Sequence, residues 1–552
     1  MKLKLNWVTD IIGEEYKNWE PGDIILIESQ TGTGKTHFIK DILIPYIFRE
    51  YKNMLFVCNR INLKRQIKRD LLKQYGKEIP STLEELDKIS RIEGRLEPSW
   101  ISISSYQSLQ EDVLNHRYFE KEMGSLNRSV WYSYIVLDEC HYLFADSGFN
   151  NKTNIALGSL VNYYHPNAIK IFMTATMDEV IEPIKEYAEK IRPVAEKYLL
   201  GGERKLNIRT YSTGRDYSYI NPQYFKNIHD ITALIKNDRS DDKWIVFVSN
   251  LDKGKKLQRE LGNDSVFISA GTEHEELDCI IHHSKFNRKV LITTKTLDNG
   301  IDIKDHAVKN IVIMVWDKIT FLQMLGRRRV DINHADLLNL YIPMQYKKSF
   351  YTLLTSYQKK LEEIQLCKEN PNEFNRKYDT NIKALGEYQE LFYRDKETKE
   401  WTVNPSGEAR LLNDKHFAES MIQKFEEDGE FAFVKEQLSW MGLEDTFDEN
   451  RLIKNSVSDT EHENLETYLN KLYTSHIIML TREDRQELIE RINVRDGNNR
   501  NRLLKSIDTL NSKLKEVGSQ FVIKKFETSK MIDGKKHNYK NAWRIEKRNI
   551  SQ

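Results

Sequence analysis

The stretch "DIILIESQTGTGKTHFI", Asp23 to Ile39, decides how the rest of the chain is read. Four apolar residues, Ile24 to Ile27, form the short continuous run expected of a parallel strand covered on both faces. The chain then turns through Thr31-Gly32-Thr33-Gly34 and enters "KTHFIKDILIPYIF", which is apolar at helical spacing. Strand, glycine turn, Lys-Thr and helix are the parts of a phosphate-binding loop. Glycines let backbone N–H groups face phosphate oxygens, and a helix N-terminus favours negative charge. Lys35 would reach the β- and γ-phosphates of a nucleotide, and the Thr36 hydroxyl would hold Mg²⁺. Ser29 stands where the general pattern has its first glycine, so the strict form is missed by one residue.

Around this loop lie 552 residues, enough for two to four domains. An apolar fraction of 39%, 30% charged residues and a mean hydropathy of −0.63 describe a soluble, charge-rich chain. No run approaches the roughly 20 apolar residues of a membrane helix, and "MKLKLNWVTD" has no signal-peptide core. Cys58, Cys140, Cys279 and Cys367 are scattered without a CxxC, which argues against a disulfide framework or a cysteine zinc site and for a reducing cytoplasm. The net charge of +1 is unevenly spread. From Arg500 to Gln552 there are 14 Lys/Arg against 5 Asp/Glu, a net of +9, which leaves −8 for the remainder. Such a basic end suits an anionic partner or a solvated tail.

Further along, "YSYIVLDECHYLF" carries a second apolar run, Tyr134 to Leu137, that ends on Asp138-Glu139. At the carboxyl end of a strand beside the first, Asp138 can bind Mg²⁺ through its water shell. Glu139 can orient and deprotonate an attacking water. "IKIFMTATM" follows, and its Thr174 and Thr176 are small hydroxyl residues suited to relaying a change at the γ-phosphate. "SQTGTGKT", "DECH" and "TAT", in that order and spacing, resemble the first motor domain of superfamily 2 helicases, the DEAD/DEAH-like group. Helicase-like proteins of bacterial mobile elements and phages share this resemblance. Two weaker matches, "VCNRINLKRQ" (Val57 to Gln66) and "ISISSYQSL" (Ile101 to Leu109), sit where that family has nucleic-acid-contacting loops. They assign Arg60 and Ser105 to such contacts.

The resemblance continues into a second motor domain. "KWIVFVSNLDKGKKLQREL" supplies a strand, Ile245 to Val248, then Ser249-Asn250 and a helix. "KVLITTKTLDNGIDIKD" supplies Val290 to Thr293, Thr294 and the loop Gly300-Ile301-Asp302. That loop resembles the family's fifth motif, which touches the nucleic-acid backbone and the nucleotide; the resemblance assigns Ser249, Asn250 and Thr294 to nucleic-acid contacts and Gly300 and Asp302 to the nucleotide. "FLQMLGRRRV", Phe321 to Val330, resembles the arginine-finger motif, with Gln323, Gly326 and Arg327 in place. The family's second arginine falls three residues after the first, at Val330 here. A one-residue offset on a helix turns a side chain by about 100°. Arg329 therefore substitutes only if the local backbone differs.

The resemblance spans roughly Pro21 to Pro343 and implies two RecA-like α/β domains, with ATP and Mg²⁺ between them. The expected organisation is motor domain 1 over 1–200, motor domain 2 over 201–345, a helical accessory region over 346–499, and a basic module over 500–552. The first boundary is placed near "LLGGERKLNIRTY". No Q-motif glutamine stands at the usual distance before Ser29. "HIIML", 476–480, reads as buried packing. At the C-terminus, "NRLLKSIDTLNSKLKEVG" has helical periodicity, and "FVIKKFETSK" and "NYKNAWRIEKR" read as strands around the turn "MIDGKKH". This outlines a winged helix with Trp543 as its packing anchor. Its lysines, Lys524, Lys525, Lys530, Lys535, Lys536 and Lys540, suit phosphates; a protein-docking module and a solvated hairpin are the alternatives. The function implied is an ATP-dependent nucleic-acid translocase or helicase, with DNA favoured over RNA. The alternative is a non-unwinding ATPase switch that gates a partner protein such as a nuclease.

Overall fold

The computed structural model describes residues 1–58, 61–94, 99–106, 108, 132–145, 168–186, 188–189, 207–269, 274–294, 302–379, 385–386, 388, 391–394, 400–453, 465–481, 484–494, 503–532 and 535–548. Its first sheet is built from the apolar runs. The strands are β1 (Ile24–Glu28), β2 (Met54–Cys58), β3 (Arg91–Glu93), β4 (Trp100–Ser105), β5 (Tyr134–Asp138), β6 (Ile169–Thr174) and β7 (Ile208–Ser212), in the order β3-β4-β2-β5-β6-β1-β7. All neighbours are parallel except β3 and β4. Side chains alternate across a strand, so Ile25 and Ile27 join a cluster with Val8, Phe38 and Ile44, while Ile24 and Leu26 join Tyr106, Leu143 and Val180 on the other face. This two-sided burial is why the run contains no polar residue.

β7 corrects the expected boundary near residue 200. It pairs along the whole of β1, so the first sheet closes only at Ser212. Such a pairing is non-local and leaves no local punctuation; Gly201 and Gly202 lie outside the described residues. The second sheet is wholly parallel, in the order β10-β11-β9-β12-β13-β8. Its strands are β8 (Ile220–Phe225), β9 (Lys243–Phe247), β10 (Ser265–Ile268), β11 (Val290–Thr293), β12 (Val308–Ile313) and β13 (Leu338–Pro343). Ile245 and Phe247 face a cluster with Phe321 and Phe433; Trp244 and Val246 face Ile231 and Leu257.

Two long helices, Lys347–Glu369 and Pro405–Asp428, follow the second sheet. Phe350, Met421 and Phe425 seat them in its core. Between them the region expected to be helical also holds a small hairpin, β14 (Phe392–Arg394) with β15 (Trp401–Val403), around Phe374 and Tyr378. The N-terminal segment runs between the two sheets. Leu3 N donates to Ile332 O at 2.8 Å and Val8 N to Thr33 O at 2.9 Å. Leu3 is buried in the second core and Val8 in the first.

Residues 1–453 form one compact unit and 454–552 another. The second unit runs helix Leu465–Thr474, helix Gln486–Ile492, helix Ile507–Glu516, then β16 (Phe521–Ile532) antiparallel to β17 (Lys535–Lys547). Between the first two helices, Met479 makes an isolated bridge to Trp543. Leu469, Met479, Leu488, Leu510, Phe521 and Trp543 share one core, so the expected boundary at 500 falls inside this unit. The reading of "HIIML" is corrected as well. Met479 is buried, but Ile477 and Ile478 are 41% and 45% exposed, and His476 turns the chain at φ +48°. The hairpin strands also run into the expected turn, reaching Ile532 and resuming at Lys535. Asp533-Gly534, a two-residue hairpin signal, lies outside the described residues. Among the described residues no helix is long and apolar enough to cross a membrane, and the four cysteines are free thiols.

Candidate active site

After β1 the chain leaves the sheet through two left-handed glycines, Gly32 at φ +96° and Gly34 at φ +91°. Ser29 and Thr33 are buried and brace this turn rather than face open space. Their hydroxyls lie 2.5 Å apart, and Thr33 Oγ1 donates to Gln30 O at 2.7 Å. The helical run Lys35–His37, Phe38–Leu43 and Ile44–Arg49 starts at Gly34. Its amino end and the Lys35 side chain therefore point one way, and Lys35 Nζ donates to Glu139 Oε1 at 3.2 Å.

Asp138 closes β5 and is buried. Glu139 follows in the left-handed region at φ +51°, a conformation that costs a non-glycine residue roughly 1–2 kcal/mol. The turn is held by Cys140 N, which donates to Met173 O at 3.0 Å. Burial pushes the Cys140 thiol well above its ordinary pKa, so it offers no thiolate. His141 is the residue that sequence reasoning passed over. Its Nδ1 lies 2.8 Å from Thr174 Oγ1, and its Nε2 accepts from Gln323 Nε2 of the second sheet's domain. Thr174 Oγ1 also accepts from Thr176 N at 3.1 Å and lies 3.2 Å from Thr176 Oγ1. The only sequence signal for His141 was its place directly after Asp-Glu-Cys.

The opposite wall comes from the segment after the helix Lys318–Leu325. Here the backbone answers the question of spacing. Ile303 N donates to Arg327 O at 2.8 Å, and Arg329 N donates to Ile303 O at 2.9 Å. This is an extended bridge, in which residues two apart share a side. Arg327 and Arg329 accordingly face the same cavity, while Arg328 turns inward, 3% exposed, to Asp336 at 3.2 Å. Arg329 also pairs with Asp302 at 2.8 Å. Gly326 is required by proximity: a Cβ there would lie 2.7 Å from Thr31 Oγ1.

The cavity between the walls measures about 330 Å³. Thr31, Lys35, Thr36, Asp138, Glu139, His141, Thr174 and Thr176 line it from the first sheet's side, and Asp302, Gln323, Arg327 and Arg329 from the second. A further cross-cleft contact was not legible in advance. Lys318 pairs with Asp178 and, at 3.0 Å, with Glu179, and Arg215 meets Asp178 at 2.7 Å. Burial pushes the Asp178 carboxyl up, but the bonds from Arg215 and Lys318 outweigh it and hold the group below its usual range.

Among the described residues, those expected to touch nucleic acid do not line this cavity. Ser105, Ser249, Asn250 and Thr294 lie at or just beyond the carboxyl ends of β4, β9 and β11. Ser105 Oγ accepts from Ser108 N at 3.1 Å, Lys253 Nζ donates to Ser249 Oγ at 3.2 Å, and Asn250 caps the helix Leu251–Leu261 by accepting from Lys253 N at 2.9 Å. Arg60 and Gly300 lie outside the described residues, as do the side chains of Lys535 and Lys536.

Comparison with known proteins places this geometry. The family model of the type III restriction enzyme res subunit matches residues 6–179, and that of the helicase conserved C-terminal domain matches 226–329. The chain is similar to the type I restriction enzyme EcoAI endonuclease subunit of Escherichia coli, 22% identical over 359 residues, covering 57% of this chain and 42% of that protein. It thus spans less than half the length of this curated relative. Solved structures similar to it include Mycobacterium smegmatis helicase Lhr bound to ssDNA and AMP-PNP, with 13% identity, a TM-score of 0.38 and coverage of 71% of this chain and 58% of that one. Another is Mss116p bound to ssRNA and AMP-PNP, with 18% identity, a TM-score of 0.41 and coverage of 72% and 84%. The two matched stretches fall on the two sheets, so the chain carries the paired RecA-like domains of superfamily 2 helicase-like proteins.

Proposed function

We propose that the protein hydrolyses ATP in the cavity between its two sheets and uses closure of that cavity to translocate on, or unwind, DNA. The observation that carries this reading is the composition of the cavity. One wall offers a phosphate loop, a lysine and two carboxylates, and the other offers two guanidiniums. The donor set suits Mg²⁺, which keeps waters and phosphate oxygens and needs few protein ligands. Thr36 and Asp138 would hold it, and the ion would neutralise phosphate charge when bound.

Lys35 and Glu139 satisfy each other in the structure. An entering γ-phosphate takes Lys35, which releases Glu139 to orient a water and accept its proton. Arg327 and Arg329 bring positive charge to the phosphate end, and Asp302 holds Arg329 until then. Gln323, His141, Thr174 and Thr176 link the reacting end to both domains, so a change at the phosphate alters how the walls meet. The C-terminal unit is assigned as a winged helix from its order of helix, bridge, two helices and hairpin.

Preference for DNA draws support from the likeness to restriction-enzyme subunits and from the basic C-terminal hairpin. That same likeness supports a second reading, in which a non-unwinding ATPase switch gates a nuclease partner. The deciding experiment is the ATPase rate with single- and double-stranded DNA and RNA, run beside a strand-displacement assay. Stimulation by DNA with displacement is expected; stimulation without displacement favours the switch. No stimulation by any nucleic acid would end both readings.

A further inference from the structure

The net positive charge of the C-terminal unit falls on one element. Residues 521–548 carry nine Lys/Arg against three Asp/Glu, whereas the helix Ile507–Glu516 carries two of each. Alternation divides the hairpin into two faces. Phe521, Ile523, Trp543 and Ile545 are buried and are the hairpin residues in the unit's core. The other face pairs Lys524 with Arg544, Phe526 with Ala542 and Thr528 with Tyr539. Lys524 and Arg544 are exposed, Phe526 and Tyr539 are half-buried, and Ala542 is covered. The Arg544 guanidinium lies over the Phe526 ring, 4.8 Å from its centroid. A register shift between Phe526 and Thr528 marks a bulge opposite Lys540 and Asn541.

We propose that this solvent face is a platform for single-stranded nucleic acid, with bases stacked on Tyr539 and on the Arg544–Phe526 pair and phosphates met by Lys524 and Lys540. The assignment rests on reading the chain as a nucleic-acid-dependent ATPase and adds a contact carried outside the motor domains. Aromatic and guanidinium planes serve unpaired bases, because a duplex hides base faces in its stack. The third helix, neutral overall, lacks the cations of a groove reader. Glu546 opposes phosphate binding: it pairs with Lys524 at 3.0 Å and with Arg544 at 2.5 Å. Both cations are half or more exposed in these pairs, and such surface pairs are weak enough to exchange for phosphate.

The test is fluorescence anisotropy of the full chain with labelled oligo-dT and with a blunt duplex, at several salt concentrations. Tyr539→Ala should weaken oligo-dT binding roughly 5- to 100-fold, the effect of losing one base stack, and leave duplex binding within about twofold. Tyr539→Phe, which keeps the ring, should bind as the parent does and so exclude misfolding as the cause. Lys524→Ala should flatten the log–log salt slope by about 0.7 on the single strand, and Glu546→Gln should tighten binding. Unchanged oligo-dT affinity in Tyr539→Ala overturns the stacking platform. Equal losses on single strand and duplex also overturn it, in favour of a backbone clamp. Loss of oligo-dT binding without stimulation of the parent ATPase by any nucleic acid would sink the proposed function and leave the platform standing.

Discussion

The two walls of the cavity hold their charges by opposite means. On the first, sharp turns do the work: Gly32, Gly34 and Glu139 all lie in the left-handed region, and Lys35 and Glu139 are paired with each other. On the second, an extended segment does it, with Arg327 and Arg329 on one side and Arg328 on the other. The first wall is a preformed turn whose lysine is already paired with a carboxylate. The second carries an excess of positive charge that matters only when a phosphate is present. On the proposed function, binding and charge delivery are separated, and substitutions on the two walls should fail differently.

The largest effect is expected on the second wall. Arg327→Ala should lower nucleic-acid-stimulated turnover by roughly 10³- to 10⁵-fold, with ATP affinity little changed in equilibrium titration. Arg329→Ala should follow it in kind. If alanine at 327, 328 and 329 gives equal, mild losses, the alternation has no catalytic meaning. Glu139→Gln comes next, with a loss of roughly 10²- to 10⁴-fold for a missing general base and nucleotide binding retained. A Gln variant that turns over at the parental rate would remove Glu139 from that role.

Smaller effects sharpen the contrast through buried cations. Arg328 has a carboxylate partner, Asp336, whereas Lys170 in β6 meets the Ala168 carbonyl at 3.4 Å. Arg328→Ala should therefore destabilise the fold by roughly 1–3 kcal/mol, the worth of a charged hydrogen bond, read as a lower melting temperature. Lys170→Met should do the reverse. Burial lowers the Lys170 pKa to about 8, so below that pH the folded state holds a charge that the unfolded state solvates better. The unfolded chain binds more protons between about pH 8 and its ordinary value near 10.4, and parental stability should rise with pH across that window. Lys170→Met should be more stable by on the order of 1–3 kcal/mol at pH 7, and the gap should narrow by pH 9.5. Melting curves at the two pH values check both the sign and the trend.

Local features were legible before the structure was. Ile24 to Ile27 and Val290 to Thr293 announced strands because both faces of a parallel sheet are buried, and Gly32 and Gly34 announced a turn that L-residues resist. What sequence could not reveal depended on distant pairing. β7 joins β1 across 180 residues of chain, and only the bond between Ile303 and the 327–329 segment makes that segment extended. A helix assumed there would have put Arg329 on the wrong side. Gly326 read as a motif letter, whereas its reason is Thr31 in the other domain. His141 was visible but unclaimed, since its partners, Thr174 and Gln323, come from two distant segments.

The N-terminal segment has an optical consequence. Trp7 sits between Asn6, whose N–H donates to Thr213 O at 3.0 Å, and Val8, which is bonded to the phosphate loop. Its indole edge would be 3.3 Å from a Cβ at Gly34, and the ring is 38% exposed. Of the nine tryptophans in the chain, this one lies against the loop proposed to hold phosphate while its own segment reaches back to the second domain. A Trp7→Phe difference spectrum would isolate its emission. The cradle then carries its own chromophore, and nucleotide arrival and cleft opening become readable as a change in intrinsic fluorescence without an attached dye.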